Sequence, residues 1–135
     1  MKVMETLFPH AMKTRGVTVR VAVTFLPEQS DPENGRWFWA YHIRLENEGP
    51  QTVQLLTRHW IIMDGRGARN DVRGDGVIGD QPVLKSGQSY DYVSGCPLTT
   101  PSGSMRGSFG MIGEDGSAFD AAIPPFQLLG PVGAQ

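Results

Sequence analysis

Residues 16–26 read Gly-Val-Thr-Val-Arg-Val-Ala-Val-Thr-Phe-Leu, and this stretch decides the fold class. Val17, Val19, Val21, Val23 and Phe25 recur at period two, with Thr18, Arg20, Ala22 and Thr24 between them. Strict alternation of β-branched residues predicts a half-buried strand rather than a helix. A polar, turn-rich loop (residues 27–35) leads to a second alternating stretch, Arg-Trp-Phe-Trp-Ala-Tyr-His-Ile-Arg-Leu-Glu-Asn (36–47). Trp37, Trp39, Tyr41, Ile43 and Leu45 share one face, read as core, and Phe38 faces outward with Ala40, His42, Arg44 and Glu46.

Working outward, Asn47-Glu48-Gly49-Pro50 predicts a tight connection, with Val53 onward pairing back on residues 36–47 as a hairpin. Residues 52–64 alternate imperfectly, which predicts a bulge, or burial on both sides near the end. Shorter candidates follow at 70–73, 89–95 and 104–112. A last one, 118–129, contains Pro124-Pro125 and so must lie at a sheet edge or stop there. About seven strands with frequent turn signals predict an all-β, antiparallel sandwich. The division expected is an N-terminal segment (1–15), one sandwich domain (16–130) and a short tail (131–135).

Composition agrees. Of 135 residues, 17 are glycine and 10 proline, a density that interrupts helices and disfavours a bundle. Twelve basic against fourteen acidic residues give a net charge of −2. With no basic excess to neutralise phosphates, nucleic-acid binding is not expected. The single cysteine, Cys96, excludes an intrachain disulfide and suits a reducing cytoplasm. No continuous apolar stretch suggests a signal peptide or a membrane span, so no membrane insertion is expected.

Gly74-Asp75-Gly76-Val77-Ile78-Gly79 matches the G-x-G-x-x-G pattern of dinucleotide sites. That chemistry needs a helix opening directly after the glycines, and Pro82 and Gly87 leave no room for one. The bland reading is a loop whose glycines permit unusual backbone angles. The sharper one is a phosphate or nucleotide site at Arg73, Gly74, Asp75, Gly76 and Gly79, with Arg69 and Lys85 nearby. A second marked segment, Gly95-Cys96-Pro97-Leu98, reads as an interaction loop in which Cys96 is a buried, unreactive thiol. His59, beside Trp60, reads as a strand histidine bonded to a neighbour. The spacings of His, Cys and acidic residues suggest no metal site, no cofactor and no catalytic set.

Larger motifs carry a resemblance. Arg58-His-Trp-Ile-Ile62, then Asp71-Val-Arg-Gly-Asp-Gly-Val-Ile-Gly-Asp-Gln-Pro82, then Ser94-Gly-Cys-Pro-Leu98 with Thr100-Pro-Ser-Gly-Ser-Met-Arg-Gly107, and finally Phe119 through Ile123-Pro-Pro-Phe126, resemble the ApaG family over nearly the whole chain. Asp75 and Asp80 stand where the family often has Glu. The resemblance implies a fibronectin type III-like or immunoglobulin-like sandwich in a bacterial cytoplasmic protein, often encoded beside a diadenosine tetraphosphate hydrolase. Similar domains in eukaryotic F-box proteins and in a polymerase-interacting protein look like protein-interaction modules. The family is also linked genetically to cobalt resistance and magnesium efflux.

Two functions are therefore weighed ahead of an enzyme. One is a non-catalytic module for an unidentified protein partner, with an indirect link to Co2+/Mg2+ homeostasis; free strand edges would also allow a homodimer. The other is a small-ligand regulator that takes phosphate, nucleotide or Mg2+/Co2+ at the glycine-rich loop.

Overall fold

The structure is a computed structural model that describes residues 2–131; the predicted tail beyond residue 131 lies outside the described residues. A short helix, α1 (Lys2–Leu7), precedes nine strands: β1 (His10–Thr14), β2 (Val17–Phe25), β3 (Trp37–Asn47), β4 (Val53–Asp64), β5 (Arg69–Asp75), β6 (Val83–Leu84), β7 (Ser89–Leu98), β8 (Ser102–Gly113) and β9 (Ala118–Leu129). They form two antiparallel sheets, ordered β1-β2-β3-β7 and β5-β4-β8-β9, with β6 also paired to β4.

The alternation read from residues 17–25 and 37–47 is what makes these sheets pack. Val17, Val19 and Val21 of β2 and Trp39, Tyr41, Ile43 and Leu45 of β3 point to the same interior. Leu55 and Trp60 of β4, Met105, Phe109 and Met111 of β8, and Ala121, Ile123, Phe126 and Leu128 of β9 meet them from the opposite sheet. Each sheet has one solvated face, so each must bury the other, and the antiparallel sandwich follows.

Among the described residues nine strands stand where about seven were expected. The added ones are β6, only two residues long, and β1, which pairs with β2 from His10↔Val21 to Thr14↔Val17. The bulge expected in residues 52–64 falls between Leu55 and Thr57. β9 is an edge strand, and its ladder to β8 slips between Met105↔Phe126 and Gly107↔Ile123, where Pro124 and Pro125 lie. The edge tolerates both prolines because neither has to donate to a second neighbour.

The predicted hairpin between residues 36–47 and Val53 does not form. β3 pairs with β2 and β7, whereas β4 belongs to the other sheet. Buried Asn47 steers this crossover. Its Nδ2 donates to Gln51 O (2.7 Å) and Leu84 O (2.9 Å), and its Oδ1 accepts from Gly49 N (3.1 Å). Turn chemistry reports a change of direction but not the sheet to which the next strand is sent.

Candidate functional site

The two long sides of the sandwich differ. On one side β9 lies against β1 and β2. On the other, the edge strands β7 and β5 each have a single ladder partner, and a cleft of about 730 Å³ opens between the sheets. Tyr41 of β3 and Tyr92, Ser94, Cys96 and Leu98 of β7 line one wall; Arg58, Trp60 and Ile62 of β4 and Val72 of β5 line the other. The volume is in the range of small-molecule sites.

Arg58 follows from the strand period. It is two residues from buried Trp60 and pairs with Gly74 across the β4–β5 ladder, so both face inward. Its Nη1 donates to Asp75 O and Gly76 O, both at 2.9 Å, and ties down the start of the glycine-rich loop. A Cβ on Gly74 would lie 2.7 Å from Arg58 Nη2, so a side chain there would displace the guanidinium from the loop carbonyls. Gly76 (φ 64°) is held to glycine by backbone, since a side chain would run into Asp80 O.

The loop closes as a tight turn. Val77 N donates to Asp80 O (2.8 Å) and Asp80 N to Val77 O (2.9 Å), while Gly76 N donates to Leu56 O (2.8 Å). Both central residues have positive φ, Ile78 at 48° and Gly79 at 78°, the type I′ pattern. Val77 is buried and Ile78 is exposed at the mouth of the cleft. No helix follows, which agrees with the rejection of a dinucleotide fold.

The predicted loop residues are thus divided. Gly74 and Gly76 support the Arg58 wall, and Gly79 sits at the turn tip. Arg73 and Asp75 fall on the outer face with His59 and Ser108. There His59 Nε2 lies 2.9 Å from Asp71 Oδ2, the neighbour bond expected for a strand histidine. Arg69 Nε donates to Asp71 Oδ1 at 2.7 Å. Arg69 and His59 hold the Asp71 carboxyl well below the usual carboxylate range. Lys85 is exposed beyond the loop, in the turn after β6.

Gly95, Cys96, Pro97 and Leu98, read as a loop, are instead the last residues of β7. Glycine and proline look like strand breakers, but an edge strand accepts them. Pro97 faces Phe38, whose N–H goes to Ser30 Oγ (2.9 Å) and whose carbonyl accepts from Leu26 N (2.9 Å). Phe38 therefore asks nothing of Pro97, and the missing donor lies on the free edge. Gly95 accommodates the outward-facing Phe38 ring. Cys96 and Leu98 point into the cleft.

The cleft's electrostatics are those of protonated donors. Burial pushes the Cys96 thiol up to about 11, so at neutral pH it is not the thiolate that nucleophilic catalysis needs. Burial also raises the phenols of Tyr41 and Tyr92. Arg58 opposes both shifts, as does Ser94 at Tyr41. Among the described residues the Tyr92 hydroxyl has no hydrogen-bond partner, although the residue is only 8% exposed. Among the described residues no three His, Cys, Asp or Glu side chains gather as a metal site. No described helix is long and apolar enough to cross a membrane.

Residues 27–113, which span β3 to β8, the cleft and the loop, match the family model of the ApaG domain. The chain belongs to the ApaG family. It is 56% identical over 118 residues to Protein ApaG of Afipia carboxidovorans, covering 87% of this chain and 91% of the relative. Protein ApaG of Rhodospirillum centenum is 52% identical over 120 residues, covering 89% and 92%. Among solved structures, the putative ApaA protein from Bordetella pertussis superposes with a TM-score of 0.83 at 45% identity, covering 86% of this chain and 94% of that one. The C-terminal domain of wzt shares the fold alone, with a TM-score of 0.57 at 12% identity over 96% of this chain and 84% of that one.

Arg58, Tyr41 and Tyr92 were not singled out as site residues in the sequence. A signal existed for Arg58, a charged side chain in phase with Trp60 on an otherwise apolar face. Nothing in the sequence alone brings the end of β7 opposite β5.

Proposed function

We propose that this ApaG-family chain is a non-catalytic, cytoplasmic binding module that docks on another protein through the free edge of β7. Any influence on Co2+ or Mg2+ homeostasis then passes through that partner, since the reading gives the chain neither transport nor catalysis. The observation that carries it is the ten-residue β7 strand, paired only with β3. With Pro97 fixing which alternate residues turn their backbone outward, Asp91, Val93 and Gly95 present theirs to solvent. Val93 also exposes an apolar side chain. An extended segment of a partner can add to such an edge, gaining main-chain hydrogen bonds along its length.

The test is partner capture from a cell extract on the immobilised chain, with Val93→Pro as the control. Proline there removes an outward N–H and leaves the β3–β7 ladder intact. The expected result is a reproducible partner whose recovery drops at least about tenfold on the folded variant, the loss of one to two kcal/mol. Equal recovery on both chains would remove edge docking.

A further inference from the structure

Within the cleft the chemistry is unbalanced. Its floor and walls are apolar, with Trp60, Val72, Leu98 and Met105, yet Arg58 reaches into it. Among the described residues, no carboxylate lies within ion-pair distance of Arg58. Nη1 is taken by the two loop carbonyls, and the edge formed by Nε and Nη2 has no acceptor among the described residues. The other ionic groups at the mouth are already engaged. Arg69 is held by Asp71 (2.7 Å), Arg36 lies 3.9 Å from Asp31, and Asp64 accepts from the amides of Arg66 and Ala68 in its own turn.

An inward cation without a counter-ion is costly, and a buried hydroxyl without a partner is costly again. Tyr92 OH is of the second kind, Arg58 is a half-buried case of the first, and both residues line the same cavity. Their surplus is one positive charge and one further polar group. That matches one negative charge on a group with two acceptor oxygens.

We propose that the cleft binds a small organic monocarboxylate with an apolar body, its carboxylate held by Arg58 and the Tyr92 hydroxyl. The apolar body lies against Trp60, Leu98 and Met105. A phosphate monoester fits less well, because its second charge finds no second free cation inside. The site uses the inward side chains of β7 and partner docking its outward main chain, so the two readings are tested by different variants and either stands if the other fails.

The test is titration of the whole chain with octanoate, 1-octanol and octyl phosphate at pH 7, followed by backbone amide NMR. Octanoate is expected to give saturable shifts at Arg58, Tyr92, Ser94 and Cys96, with a dissociation constant of about 1 mM or tighter. Octanol should bind about tenfold more weakly, and so should octanoate to Arg58→Gln or Tyr92→Phe. Tyr92→Phe removes only an unpartnered hydroxyl, so it stays folded even where Arg58→Gln loosens the loop. The proposal is overturned by any of four results: no octanoate shifts at about 10 mM, a concentration that would nearly saturate such a site; shifts confined to the outer face around His59 and Arg73; octanol binding as tightly as octanoate; or octyl phosphate binding about tenfold tighter than octanoate.

Discussion

On the β1–β2–β9 side of the sandwich, the Trp39 indole and the Thr14 hydroxyl find partners across the sheets. Trp39 is 1% exposed, and its Nε1 donates to Leu129 O at 3.0 Å. Thr14 Oγ1, on the edge strand β1, accepts from Ala122 N (3.2 Å). On the β5–β7 side the same sheets part. There, among the described residues, Tyr92 OH has no partner, Arg58 has no carboxylate, and Ile78 holds a φ of 48° that β-branched residues avoid. One side is packed as core, with Arg15 in its β1–β2 turn at φ 48° and Trp37 Nε1, near the end of β9, buried without a partner among the described residues. The other keeps its surplus donors and local strain around an open cleft, the condition in which a fold can still receive something.

The largest expected effect sharpens this contrast at the closed side. Phe126 is 1% exposed and packs its ring against Tyr41, Trp60 and His10, with centroids at 6.2, 6.1 and 6.1 Å. Phe126→Ala is expected to cost about 3–5 kcal/mol in urea unfolding. Tyr92→Phe, across the molecule, should cost almost nothing or stabilise slightly, because it deletes a buried group that forms no bond. Comparable losses from both would erase the distinction between the two sides.

Arg58→Gln comes next. It removes two charge-assisted bonds to the carbonyls of Asp75 and Gly76, a loss of about 2 kcal/mol for a partly buried donor. Hydrogen exchange should reveal where that loss falls. The amides of Gly76, Val77 and Asp80 should exchange faster, while those of β2 and β9 stay protected. Uniform acceleration would mean that the loop is coupled to the whole sandwich and is not a separately held wall.

How far the sequence anticipated each side follows from the same physics. The closed side was legible because burial imposes a period. Val17 to Phe25 and Trp37 to Leu45 alternate without a break, and the core face read from them is the one observed. Pro124-Pro125 placed β9 at an edge for a local reason, the missing donors. The open side was legible only in pieces. Gly74-Asp75-Gly76 and Gly95-Cys96-Pro97 stood out as loops, yet Gly74 lies in β5 and Cys96 in β7, with the cleft between their strands. Which strand faces which across a sandwich depends on long-range pairing. The turn at Asn47–Pro50, read as a hairpin and found to be a crossover, shows how little a local motif says about that.

A smaller effect, of opposite sign, tests the strain at the mouth. Ile78→Gly should stabilise the chain by about 1 kcal/mol, because glycine adopts the left-handed angle freely and Ile78 is 60% exposed with little burial to lose. A clear loss of stability would mean that the isoleucine side chain holds the turn together through contacts worth more than its strain.

The smallest effect concerns the link between the two sides. On the outer face of the first sheet, Arg20 of β2 donates to Glu46 Oε1 (2.8 Å), and Arg44 donates to both Glu46 Oε2 (2.9 Å) and Asp91 Oδ2 on β7 (2.7 Å). Partial burial alone would raise the Glu46 carboxyl, but the bonds from Arg20 and Arg44 outweigh it and hold the group below its ordinary value. The folded state therefore takes up this proton less readily than the unfolded chain does. The contribution is fully present above the ordinary glutamate range near about 4.3 and is lost as pH falls below it. Its size should be about 0.5–1 kcal/mol, as for a single half-shielded ion pair. Glu46→Gln is expected to be destabilised at pH 7 and to converge on the wild-type chain as the pH falls below the ordinary glutamate range and the carboxyl takes up its proton, measured as paired urea curves. A gap that stays constant with pH would show that Glu46 acts through packing, and that its charge does not tie β7 to the closed half of its sheet.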